Sequence, residues 1–320
     1  MKVIITGAAG FLGSRVADFL LNESSLSVTK LVLVDVTKPQ SRPDIRVHTL
    51  AIDLGAESAA EDLLSDGADV LFHLAAVVSG HAEADFDLGL RVNFDATRNL
   101  LEAARRYAPA LRFVFTSTVG VFGGTLPQVV DDFTATTPQN SYGIAKAMSE
   151  LLVNDYSRRG YVDGRVVRLP TISVRAGIAN KAVTSFASGI IREPLNGERS
   201  ICPVPLEQEL WLMSPGTAVQ NIVHAATLSS SEFGPWRCVN LPGLCVAVRD
   251  MVSALRTIAG DQVAALVTYE IDENISRMVA SFPSKFNTSR ALSLGFVMDT
   301  NFVDVIRNYI KYDLNKPINN

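Results

Sequence analysis

Short, unbroken apolar runs alternate along the first half of the chain with stretches whose apolar residues recur every three or four positions. The runs predict strands over Lys2–Thr6, Lys30–Val34, Val47–Ile52, Asp69–Leu74, Arg112–Ser117 and Gly164–Leu169. None alternates apolar with polar residues, as expected of strands covered on both faces. The helical patterns fall near Phe11–Leu21, Ala56–Leu64, Asp85–Arg106 and Tyr142–Arg159. Repeated strand–helix units joined by right-handed crossovers predict an α/β fold with a doubly wound parallel sheet.

After Pro170 the rhythm changes. Residues 175–210 carry Gly177, Pro194, Gly197, Pro203 and Pro205, with one helical pattern near Val183–Arg192. A strand-then-helix pattern returns over Trp211–Thr227, and a short strand is expected at Arg237–Leu241. Helices are expected near Val248–Ala259, Asn274–Ser281 and Phe302–Lys311. The pattern divides the chain into a cofactor domain (1–174 plus 211–241) and a smaller α/β substrate lobe (175–210 plus 242–320), interleaved in sequence.

Composition narrows the function classes. Of 320 residues, 48% are apolar and 19% charged, with net charge −4 and pI about 5.6, so no basic field awaits a nucleic acid. No apolar stretch reaches the roughly 18 residues of a membrane span. The run Val3–Ile5 is too short for a leader, which sets the expectation of a cytoplasmic protein without membrane association. The three cysteines, Cys202, Cys238 and Cys245, show no paired spacing, so neither a metal site nor a disulfide framework is expected, and buried packing is their simplest role.

Two motifs carry chemistry. Thr6-Gly7-Ala8-Ala9-Gly10-Phe11-Leu12-Gly13 lies between an apolar strand and an amphipathic helix. Gly7 allows a sharp turn, Gly10 lets backbone approach a pyrophosphate, and Gly13 lets helix and strand pack closely. The free N–H groups of the helix N-terminus face the phosphates. Asp35 closes the second strand, placed to accept from ribose hydroxyls and to repel a 2′-phosphate, so NAD is expected rather than NADP. Asp53-Leu54 closes the third strand, where Asp53 either meets the adenine edge or caps the following turn.

The second motif is Tyr142 and Lys146, spaced i, i+4 at the start of a predicted helix and therefore on one face. A free phenol titrates near 10, too high for a base at neutral pH, and a neighbouring ammonium favours the phenolate. Thr118 follows the fifth strand, where a hydroxyl can bind the substrate oxygen that Tyr142 deprotonates. The spacing alone occurs often by chance; the order of glycine loop, acid, strand-end hydroxyls and Tyr/Lys pair gives it weight.

That ordered set resembles the extended short-chain dehydrogenase/reductase (NAD-dependent epimerase/dehydratase) family along the whole chain. Besides the residues above, the likeness is carried by His73-Leu74-Ala75-Ala76, Asn93, Thr116-Ser117-Thr118 and Val121-Phe122-Gly123. The resemblance implies a Rossmann fold, Tyr142 as acid–base, Lys146 holding the nicotinamide ribose, and Thr118 as the catalytic hydroxyl. It also implies that Leu74, Ala75, Ala76, Asn93 and Pro170 adjoin the cofactor with Phe11 and Leu12; for Asn93 a structural or relay role is equally open. His73 is read as packing. The family's helices corresponding to 85–106 and 142–159 pair in dimers, so a homodimer is expected.

The chain departs from the family's nucleotide-sugar enzymes in two places. Thr171-Ile172-Ser173-Val174-Arg175 stands where an Asn-Val-Tyr-Gly-Pro-like run is usual, and Glu209-Leu210-Trp211-Leu212-Met213-Ser214-Pro215 lacks the usual Arg. Losing diphosphate contacts favours a smaller substrate. Residues 77–80, 84–89, 185–195 and 210–215 are similar to the family's sugar-acid dehydrogenases, which use NAD to oxidise a C2 hydroxyl. Nucleotide-sugar epimerisation or dehydration is the alternative, and a binding-only protein of the same fold a third. For a sugar acid, Arg175 is the first candidate to hold the carboxylate and Arg192 the second. Ser79, Ser117, Thr118 and Tyr142 are candidates to meet its hydroxyls.

Overall fold

The computed structural model describes residues 1–314. Its strands are β1 (Lys2–Thr6), β2 (Lys30–Asp35), β3 (Val47–Ala51), β4 (Val70–His73), β5 (Arg112–Thr118), β6 (Asp163–Leu169), β7 (Thr171–Ile172), β8 (Ser200–Cys202), β9 (Glu209–Met213), β10 (Cys238–Asn240), β11 (Leu244–Ala247) and β12 (Val267–Tyr269). Seven form one parallel sheet in the order β10-β6-β5-β4-β1-β2-β3. The chain winds outward from β1 to β3, then returns to place β4 on the other side of β1. A crevice therefore opens beyond the carboxyl ends of β1 and β4, where ligands bind in such sheets.

Alternation along β1 feeds two cores. Val3 and Ile5 pack with Val16, Ala17 and Leu20 of the helix Phe11–Asn22 and with Ala218, Val219 and Ile222 of the helix Pro215–Thr227. Ile4 packs on the other face with Leu100 and Ala104 of Ala96–Tyr107 and Val153 of Ser141–Arg158. β3 departs from the expected doubly covered strand: it is the sheet edge, and His48, Leu50 and Ala51 are exposed. The single helix expected over 85–106 is broken into Phe86–Leu90, a π-helical turn Arg91–Asp95 and Ala96–Tyr107.

A third core gathers Phe186, Ile190, Leu210, Leu212, Val252, Leu255, Val305 and Ile306 beneath a small sheet of order β11-β9-β7 and a parallel pair of β12 with β8. These additional strands, of two to four residues in β7, β8, β11 and β12, carry too little pattern to be read in advance. The return of the chain to the main sheet begins later than expected. β10 and Pro215–Thr227 belong to it, whereas β9 pairs with β7 and β11. β9 is a shared wall: Leu210 and Leu212 enter the third core and Met213 the first. Cys202 and Cys238 are buried as expected, but Cys245 is exposed. Among the described residues no helix is long and apolar enough to cross a membrane, and no cluster of metal-ligating side chains occurs.

Candidate active site

The crevice holds a cavity of about 310 Å³. Its wall takes in Gly7, Gly10, Phe11, Leu12 and Gly13 from the glycine loop, Leu74, Ala76 and Ser79 after β4, and Thr118, Tyr142, Lys146, Pro170 and Arg175. The loop is shaped by close approach. Gly7 has φ +73°, and a Cβ there would stand 2.6 Å from the amide nitrogen of Ala75. A Cβ on Gly13 would meet the Gly7 carbonyl at 2.1 Å. Only glycine therefore allows β1, the loop and the β4 exit to touch. Gly10 offers no side-chain cap to the helix, leaving its first N–H groups to an anion in the cavity. This cradle fits a dinucleotide pyrophosphate.

Asp35 sits at the end of β2 and accepts the Ala9 N–H through Oδ2 at 3.0 Å, so the carboxylate is fixed beside the loop. Asp53 makes the contacts of a turn cap. Its Oδ1 accepts from Gly55 N at 2.9 Å and its Oδ2 from Arg91 at 2.9 Å, and these contacts hold its carboxyl below the usual range. Neither Asp53 nor buried Leu54 lines the cavity, and Ala75 is held back by Thr6 and the glycine loop. Asn93 does not line the cavity. Both ends of its amide are spent on Val77, with Oδ1 accepting at 2.8 Å and Nδ2 donating at 3.0 Å. It pins the exit from β4, and the π-helical turn turns its carbonyl to Thr97 and Ser149. His73 is packing: the Thr6 and Thr97 hydroxyls hold its ring, and burial pushes its pKa down to about 3.

Tyr142 and Lys146 stand one turn apart on Ser141–Arg158, with the ammonium 5.9 Å from the phenol ring centre. Lys146 is buried and donates to the Thr116 carbonyl at 2.9 Å, in contact with the Phe115 ring. Burial lowers its pKa to about 7, against the opposing pull of Glu150, and burial raises the Tyr142 phenol to about 12. Lys146 is thus tied to the end of β5 while standing beside the phenol ring.

Thr118 lies half-buried at the carboxyl end of β5, where its Oγ1 accepts from Gly120 N at 3.0 Å and keeps its proton for another acceptor. Ser117 also lines the cavity, with its hydroxyl proton committed elsewhere. Its hydroxyl donates to Glu150 Oε1 at 2.5 Å inside the protein, so that proton is not offered to the cavity. Glu150 was not anticipated, although its i, i+4 relation to Lys146 is visible in the sequence. Arg168 grips it at 3.0 and 2.7 Å.

The opposite wall comes from the segment after β7 and from Phe186–Leu195. The Arg175 guanidinium lies 5.0 Å from the Phe11 ring centre and has no carboxylate partner among the described residues. Arg192 is committed, with its guanidinium on Glu193 at 2.5 Å and on the Arg175 carbonyl at 2.9 Å. Asn140, Ser185, Ser188 and Phe282 also line the cavity. Asn140 was discoverable as a capping residue two positions before Tyr142, whereas no sequence signal brings Phe282 here.

The fold, the glycine cradle and the Tyr/Lys pair define a class that comparison bears out: the chain belongs to the NAD dependent epimerase/dehydratase family, whose model matches residues 3–227. Its cofactor is NAD and it is an oxidoreductase. It is 49% identical over 315 residues to a D-erythronate dehydrogenase of Haemophilus influenzae, covering 98% of this chain and 100% of that one. A D-erythronate dehydrogenase of Cupriavidus necator is 50% identical over 318 residues, covering 97% of this chain and 98% of the relative. Among solved structures, one described as the nucleoside-diphosphate-sugar epimerase from Agrobacterium tumefaciens superposes with TM-score 0.94 at 41% identity, covering 100% of this chain and 96% of that chain.

Proposed function

We propose that this chain oxidises the C2 hydroxyl of D-erythronate to 2-dehydro-D-erythronate with NAD. The observation that carries the substrate class is Arg175, a cleft guanidinium without a carboxylate of its own, suited to an acid. The names of the two full-length relatives point to the same substrate. Gly7, Gly10, Phe11, Leu12 and Gly13 cradle the pyrophosphate, Asp35 the adenosine ribose, and Leu74, Ala76 and Pro170 flank the dinucleotide. When bound, NAD would supply the acceptor for the hydride that leaves C2. Thr118 and Tyr142 hold the substrate's O2, and Tyr142 takes its proton as the C2–O bond becomes a carbonyl. Lys146 orients the nicotinamide ribose and supports the phenolate. Ser79 meets a distal hydroxyl.

The test is NADH formation across four- to six-carbon sugar acids and UDP-hexoses, with NAD and NADP in parallel. D-erythronate should reduce NAD, and UDP-glucose should neither react nor compete. C4 epimerisation of a UDP-hexose without net NADH would instead establish the reading suggested by the Agrobacterium structure's description. Arg175→Met should raise KM for the acid by roughly ten-fold or more, the loss of a charged hydrogen bond, with NAD affinity little changed. Wild-type KM in that variant would move the carboxylate to another residue.

A homodimer through the helices near 85–106 and 142–159 completes the proposal. Ile144 and Leu151, seven residues apart on one helix face, are 46% and 60% exposed, and Phe86 is 60% exposed. Sedimentation should give a dimer, and Leu151→Glu a monomer. A cytoplasmic location suits three free thiols.

A further inference from the structure

Asn140 precedes the helix Ser141–Arg158 and caps it, its Oδ1 accepting from Gly143 N at 2.8 Å. That bond decides which end of the amide is which. Nδ2 has no partner among the described residues, although the residue is only 6% exposed and forms part of the cavity wall. A donor is thus held in a fixed direction at the positive end of an 18-residue helix, unpartnered and facing a ligand site.

Its position along the helix says which ligand. Lys146 follows Tyr142 by one turn of the helix, whereas Asn140 precedes it at the helix start. The helix start packs on the Val119–Val121 turn, where a Cβ on Gly143 would stand 2.3 Å from the Gly120 carbonyl. Phe282 of the other lobe reaches the same turn, lying 3.8 Å from the place of a Cβ on Gly120. This corner of the cavity is therefore bounded by Thr118, Val119, Gly120, Tyr142 and Phe282. With O2 of a 2-hydroxy acid held by Thr118 and Tyr142, the C1 carboxylate is a single bond from the reacting carbon and must lie beside those two residues.

We propose that Asn140 is a specificity-determining residue whose amide Nδ2 donates to the substrate's C1 carboxylate, sharing that anion with Arg175; this rests on the sugar-acid reading above. The backbone N–H of Ser141 does not serve, because Glu83 Oε2 accepts it at 3.0 Å on the exposed side of the helix. A neutral donor pre-set by the cap adds discrimination without a second buried charge.

The test compares Asn140→Asp and Asn140→Ser with wild type, since both replacements preserve a capping oxygen. The Asp variant sets a like charge against the carboxylate and should lower kcat/KM for D-erythronate about a hundred-fold, chiefly through KM. The Ser variant should lose about ten-fold. NADH dissociation constants and Tm should stay near wild type in both. A wild-type KM in the Asp variant, with wild type active on the acid, overturns the proposal. So does a loss that follows Tm and NADH affinity and vanishes in the Ser variant, which would leave Asn140 a cap alone. Failure of the wild-type protein to oxidise any sugar acid overturns the functional reading, and this proposal with it.

Discussion

Glu150 and Arg168 form a bidentate ion pair, 2% and 1% exposed, one helical turn behind Lys146. The same carboxylate accepts the Ser117 hydroxyl, so β5 is clamped between Thr116, whose carbonyl takes Lys146, and Thr118. Arg168 also donates to Asn240, and Asp132 joins Asn240 to Arg290, so the clamp extends into the chain's last third. Removing one member of a buried pair leaves the other uncompensated, at about 3–5 kcal/mol. Glu150→Gln should lower stability by that order in denaturant titration. Ser117→Ala, which spares the pair, should cost about 1 kcal/mol and reduce turnover without changing NADH affinity. Wild-type stability in Glu150→Gln would contradict the clamp.

Tyr142→Phe removes only the phenol oxygen. Turnover should fall by roughly 10²–10⁴, the usual weight of a positioned acid–base group, while NADH binding stays within a few-fold. Substantial remaining turnover in the folded variant would remove Tyr142 from the mechanism.

Asp35→Ala should narrow the preference for NAD over NADP in kcat/KM by removing the carboxylate that opposes a 2′-phosphate. Because Asp35 also accepts the Ala9 N–H at 3.0 Å, KM for NAD should rise in the same variant. A preference for NADP in the unmodified protein would show the acid to be misread.

His73 makes the fold sensitive to acid. Its folded-state pKa of about 3 lies below its ordinary value of 6.5, so the unfolded chain binds the extra proton between them. The stability contribution is full above pH 6.5 and is lost as pH falls toward 3, by up to about 1.4 kcal/mol per pH unit. His73→Gln should flatten that slope in urea titrations across pH 4–6. An unchanged slope would assign the acid sensitivity to other groups.

The parallel sheet was legible because β1, β2, β4, β5 and β6 are buried runs whose apolar character leaves little choice, and because Gly7 and Gly13 mark a contact only glycine permits. Spacing and order also picked out Tyr142, Lys146 and Thr118, three residues that line one cavity. What escaped depends on side-chain direction. Ser117 and Thr118 look alike in sequence, but successive residues of a strand face opposite ways, and only one finds Glu150. Asn93 reads as a cofactor neighbour because it serves Val77, a residue beside the cofactor segment. The break at Arg91–Asp95 carries no glycine or proline to announce it.

The position of β9 bears on how the cleft admits its ligand. Met213 is anchored in the core of the main sheet and Leu210 and Leu212 in that of the smaller lobe, so a book-like swing of one lobe on the other would tear a single strand's two faces apart. The segment 176–185 roofs the cavity and rests on Gly80, where a Cβ would come within 2.2 Å of the Lys181 carbonyl. Gly80 therefore sets how closely this wall of the cavity packs on the helix Ser79–Ala84, since any side chain there would push the segment outward.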